Sequence, residues 1–125
     1  MHEGTQEGIL DAESPYVDLA VEVFSLLADA TRVRIVLALR DAELSVSALA
    51  EVVGKSPTAV SQHLAKLRWG RIVRARQEGT RVFYSLADEH ARTLVTQAVF
   101  QAQHAVEEFP THHRDRQTPE HGARS

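Results

Sequence analysis

The sequence predicts one small, mainly α-helical domain closed by a single β-hairpin, and three observations carry that expectation. Apolar residues recur at helical spacing in several segments between residues 14 and 109. Two short segments of this kind meet at Gly54-Lys55-Ser56-Pro57, a glycine stop followed at once by a Ser-Pro start. Two β-rich runs, Ile72-Val73-Arg74-Ala75-Arg76 and Arg81-Val82-Phe83-Tyr84-Ser85-Leu86, flank Gln77-Glu78-Gly79-Thr80. With 125 residues, 43% hydrophobic and 25% charged, the chain has the make-up of an ordinary globular domain. That length buries a core without metal or disulfide staples.

Taken in order, residues 1–13 and 110–125 are polar and unperiodic and are expected to be flexible tails around a domain at 14–109. Ser14-Pro15 predicts a cap and a first-turn proline for helix 1, about 15–28, with Leu19, Val23, Leu26 and Leu27 on one face. Asp29 closes it and can cap helix 2, about 30–41, whose Val33, Val36, Leu37 and Leu39 are apolar. Leu44-Ser45-Val46 is short and wedged between helices, a candidate minor strand. Helix 3, about 47–53, ends at Gly54, which takes the left-handed conformation without steric cost. Ser56 can then cap helix 4 with its hydroxyl while Pro57, lacking an N–H, fills the first helical position, and Val60, Leu64 and Leu67 run it to about Arg68. Two short helices around a glycine turn form a helix-turn-helix. The hairpin that follows is a wing, and Asp88 can cap helix 5, about 88–108, striped by Leu94, Val95, Ala98, Val99 and Ala102. The expected fold is therefore a winged helix-turn-helix, with Trp69 and the helix 5 stripe assigned to core and dimer interface.

Several function classes drop out. The chain has no cysteine, which removes disulfides, thiolate metal sites and cysteine nucleophiles and makes the cytosol the expected compartment. Its longest apolar run, Ile35 to Leu39, is far too short for a membrane helix, and the acidic start lacks a signal peptide's basic region. No HExxH pattern or nucleophile-base pair points to an enzyme. The net charge of −3 hides a segregation: residues 55–81 hold seven basic residues against Glu78, whereas residues 1–18 hold five acids and no Lys or Arg. A local basic stretch is the footprint of a phosphate-binding surface. On helix 4, Ser56, Thr58, Ser61, Gln62, His63, Lys66 and Arg68 supply hydroxyl, amide and cationic groups suited to base edges and phosphates, and Arg74, Arg76 and Arg81 of the wing can reach phosphates or a minor groove. His63 is a DNA-contacting or packing residue rather than a metal ligand. Double-stranded DNA is the expected partner; the alternative is a winged helix serving as a protein-interaction module.

The run Phe24-Ser25-Leu26-Leu27-Ala28-Asp29-Ala30-Thr31-Arg32, then Leu49-Ala50 and Gly54, then Val60-Ser61-Gln62-His63-Leu64-Ala65-Lys66-Leu67-Arg68, closely resembles the ArsR/SmtB family of winged-helix transcriptional repressors over about residues 17–108. The resemblance implies a homodimer, built largely from the first and last helices, that binds an operator and leaves it when an inducer binds.

Members of that family hold metal at recurring positions. The third-helix cysteine site is missing, since Leu44-Ser45-Val46-Ser47-Ala48-Leu49 offers no thiolate. On helix 5, Asp88, His90, Gln101, Gln103 and His104 fall where the fifth-helix sensors keep their ligands, and Glu89-His90, Gln97-Ala98-Val99-Phe100 and the tail pair His112-His113 resemble the nickel and cobalt sensors of the family. That resemblance implies ligand roles for His90, His104, His112 and His113. Gln101 and Gln103 put amides where those sensors have an imidazole or an acid. His90 and His104 share a helix face but stand about 21 Å apart along it, so one ion cannot join them within a chain. In an antiparallel helix 5 pair crossing near residues 96 and 97, His90 of one copy would approach Gln101 and His104 of the other, giving two symmetric sites. Ligands of nitrogen and oxygen without sulfur suit nickel or cobalt better than a closed zinc site. A zinc-responsive or non-metal-responsive member of the family is the alternative.

Overall fold

The computed structural model describes residues 9–108. Five helices and three strands follow in the order α1 (Val17–Leu27), α2 (Ala30–Ala38), β1 (Leu44–Ser45), α3 (Val46–Val53), α4 (Pro57–Trp69), β2 (Val73–Glu78), β3 (Arg81–Leu86) and α5 (Glu89–Glu108). The sheet is antiparallel in the order β1-β3-β2, with Leu44 opposite Tyr84 and Val73 opposite Leu86. This is the expected winged helix-turn-helix.

The core lies where α2, α3 and α4 meet the base of the hairpin. Ile35, Val36, Leu49, Val60, Leu64, Leu67 and Val73 are its fully buried side chains. Each of these large aliphatic groups contributes roughly 1.5–3 kcal/mol through removal from water. α5 adds Ala91 and Val95 to the core, whereas α1 buries only Leu27.

Caps set the helix boundaries. Asp29 accepts the Arg32 amide at 3.0 Å, Ser45 the Ala48 amide at 3.2 Å and Ser56 the Ala59 amide at 3.1 Å. Ser45 therefore starts α3 one residue early, and Val46 is helical rather than a strand residue. Asp88 accepts the His90 amide at 2.9 Å at the start of α5.

Four further expectations need correction. α1 begins at Val17, because Ser14 bonds the Tyr16 amide two residues ahead, closing a turn instead of capping a helix. α2 ends at Ala38: the Arg40 amide reaches back only three residues, to the Leu37 carbonyl, which tightens and ends the helix. The wing turn is two residues rather than four, since the ladder continues to Glu78 opposite Arg81 and Gly79 takes φ +63°. Trp69 is not core; it ends α4 at 80% exposure. The assigned tails lie largely outside the described residues, as do His112 and His113. Among the described residues no helix is long and apolar enough to cross a membrane.

Candidate DNA interface and metal-binding helix

The turn into α4 is built locally. Gly54 ends α3 at φ +70°, and its amide returns to the Ala50 carbonyl at 2.9 Å. Ser56 and Pro57 then launch α4, whose Val60, Leu64 and Leu67 face the core. That burial turns Thr58, Ser61, Gln62, Ala65, Lys66 and Arg68 outward as one polar and cationic strip. Ser56 is exposed too, but its oxygen is engaged by the cap. Lys66 and Arg68 occupy the last turn, where cations oppose the negative end of the helix dipole.

His63 is set apart from its neighbours. It is half-buried, and its Nδ1 accepts from Arg32 Nε at 3.0 Å. Asp29, beside this pair, has its carboxyl held below the ordinary carboxylate range, first by the hydrogen bond from the Arg32 amide and further by the nearby guanidinium of Arg32.

The three wing arginines differ in their surroundings. Arg74 is exposed on the outward face of β2. Arg76 is gripped by Glu43, with Nη2 at 2.8 Å and Nε at 3.0 Å from its carboxylate, and by Glu78 at 3.2 Å. The Arg76 bond keeps the Glu43 carboxyl below the ordinary range, and the two carboxylates push the Arg76 pKa further up. Arg76 and Arg81 each place a guanidinium 5.1 Å from the Phe83 ring centre. Glu43 is a site residue that sequence reasoning missed; it lies 33 residues from Arg76, and no local spacing signals the pair.

On α5 the candidate ligands His90, Gln101, Gln103 and His104 are all exposed. Asp88 already serves as the helix cap. Gln103 donates to Glu107 at 3.0 Å, and His104 Nε2 lies 3.6 Å from Glu108. Glu108 was legible in the i, i+4 spacing but not singled out. Among the described residues no three His, Asp or Glu side chains of one chain converge to hold a metal ion. The donor set fits a nitrogen and oxygen site only if a second copy or residues beyond 108 contribute.

α1 and α5 leave an apolar surface open. Leu19, Val21, Val23 and Phe24 of α1 and Val99 and Phe100 of α5 are all at least 38% exposed. Between the helices lies a groove of about 430 Å³ lined by Phe24, Leu27, Val33, Leu94, Val95 and Val99, among others.

Residues 29–75 match the family model described as bacterial regulatory protein, arsR family. The transcriptional regulator KmtR of Mycobacterium tuberculosis is 58% identical over 98 residues, 78% of this chain and 75% of that protein. A transcriptional repressor SmtB homolog of Synechocystis is 47% identical over 73 residues, 58% of this chain and only 55% of that protein. Among solved structures, a homodimeric winged helix-turn-helix DNA-binding domain from Mycobacterium bovis superposes with a TM-score of 0.69 at 32% identity, covering 78% of this chain and 91% of that one. These relatives are regulators, not enzymes. By its sequence match and its fold, this chain belongs to the arsR family of bacterial regulatory proteins.

Proposed function

We propose that this chain is a metal-responsive transcriptional repressor that binds operator DNA as a homodimer and is released when nickel or cobalt binds. The observation that carries the DNA half is the outward strip of α4, where Thr58, Ser61, Gln62, Lys66 and Arg68 stand clear while Val60, Leu64 and Leu67 anchor the helix. Gln62 offers a two-pronged amide for an adenine edge, the hydroxyls serve either strand, and Lys66, Arg68, Arg74 and Arg81 meet phosphates. Repression is supported by the name of the SmtB homolog.

Homodimerisation is supported by the exposed apolar faces of α1 and α5 and by the homodimeric state of the Mycobacterium bovis domain. A patch of this kind on a small domain marks an interface, and closed two-fold symmetry is its usual outcome. It also accounts for the donors on α5, which the described residues of a single chain do not gather into a site.

His90 and His104 are the imidazoles that would hold the ion, with Glu108 beside His104 and with Asp88, Gln101, Gln103, His112 and His113 as further candidates. The choice of nickel or cobalt over zinc rests on the sulfur-free donor set and on the resemblance to the family's nickel and cobalt sensors. Bound metal supplies a preference for the dimer conformation less able to span two major grooves. The coupling is expected at about 1–3 kcal/mol, and DNA must weaken metal binding by the same factor. The test is His104→Ala: it should abolish metal-induced release while operator affinity stays within about twofold. Normal release by nickel from this variant would refute the site.

A further inference from the structure

One contact beneath the DNA-facing strip ties three helices together. Arg32, on α2, donates from Nε to His63 Nδ1 of α4 at 3.0 Å and from Nη1 to the Leu26 carbonyl of α1 at 3.2 Å. A guanidinium is a donor only and stays charged, so His63 must be the acceptor, with its ring proton on Nε2. Arg32 is itself fixed, since Asp29 takes its amide in the cap of α2. The same end of α1 touches α4 a second time, where a side chain on Gly70 would collide with Leu26 Cδ1.

Val60, Leu64 and Leu67 set how deep α4 sits, but apolar contact is non-directional and tolerates a helix turning slightly about its axis. A charge-assisted bond at His63 is directional, and it sits next to Gln62 on the same turn. Its other anchor, the last turn of α1, belongs to the helix with the open apolar face. A shift of α1 would therefore reach α4 through the Arg32 side chain, alongside the Leu26 contact at Gly70.

We infer that Arg32 and His63 are a pair of positioning residues that fix the rotation of α4 against α1 and α2, so that Ser61 and Gln62 are presented to DNA. The inference rests on α4 being the recognition helix. His63 then acts through Arg32 rather than by touching a base.

Two measurements on the full chain test it. Long-range ¹H–¹⁵N spectra of the DNA-free protein at about pH 8, where histidine is neutral, should show His63 as the Nε2–H tautomer, and Arg32→Ala should shift it towards a mixture. His63→Gln identifies the resonance among seven histidines. Fluorescence anisotropy with a duplex from upstream of the gene should show His63→Ala and Arg32→Ala each weakening binding roughly tenfold, and the double variant should be no worse than the weaker single. His63→Gln, whose amide oxygen can accept the same bond, should recover most of the loss. Thermal melts establish that each variant is folded at the assay temperature. Losses that add to roughly hundredfold would overturn the pairing, as would the Nδ1–H tautomer in a wild-type protein that binds DNA. The expected tautomer in a wild-type protein that does not bind the duplex would overturn the recognition-helix reading instead, and the positioning role with it.

Discussion

Arg74 and Arg76 stand two residues apart on the same outward face of β2, yet they should behave differently towards DNA. Arg76 already makes bonds of 2.8 and 3.0 Å to Glu43 and 3.2 Å to Glu78, so a phosphate would have to displace a carboxylate to reach it. Arg74 is exposed and has no such clamp among the described residues. A cation that neutralises a phosphate releases counterions and contributes about 0.9 to the slope of log affinity against log salt, or about 1.8 for a dimer with two equivalent contacts. Arg74→Ala should therefore flatten the slope by about 1.8, so that a fourfold rise in salt costs the variant about 12-fold less affinity than it costs wild type. Arg76→Ala should leave the slope unchanged. Anisotropy titrations on one duplex at four salt concentrations measure both. An equal loss of slope in the two variants would refute the argument that Glu43 and Glu78 withhold Arg76 from DNA.

Further outcomes follow from other residues. Arg71 joins α4 to β2 at φ +63°, where a side chain is strained, so Arg71→Gly should stabilise the fold by about 1 kcal/mol and raise the melting midpoint by about 5 °C. Leu64 is fully buried, and Leu64→Ala should destabilise by about 2–5 kcal/mol in chemical denaturation. The Glu43 carboxyl is held below its ordinary range by Arg76, so the ion pair is complete above that range and is lost as pH falls through the depressed value. Carbon-detected NMR titration should show that depressed midpoint, and Arg76→Ala should return it to the ordinary range.

Signals confined to a few neighbouring residues were legible in the sequence. Gly54, Ser56 and Pro57 specify the turn and the start of α4 through backbone conformation and one hydroxyl, and Asp29 and Asp88 cap as their positions imply. Ser14-Pro15 misled because the same pair also closes a turn, and what separates the two outcomes is which amide the hydroxyl meets. Trp69 misled because its bulk suggests burial, whereas its place at the outer end of α4 leaves it in solvent. The bonds that shape the site, Arg32 to His63 and Arg76 to Glu43, join residues 31 and 33 apart, and only the folded chain brings them together. The donors on α5 are a different case. Their types and spacing are plain in the sequence, but a site of the kind proposed, which two copies would assemble, is not contained in one.

The central claim is tested most directly by following anisotropy of a duplex from upstream of the gene, bound by the full chain at fixed salt, while nickel, cobalt and zinc are added separately. The account predicts tight binding by the metal-free dimer and release by nickel or cobalt at concentrations where zinc is weaker. Binding that no metal alters would contradict it, leaving an arsR-family DNA-binding protein whose α5 histidines are surface residues.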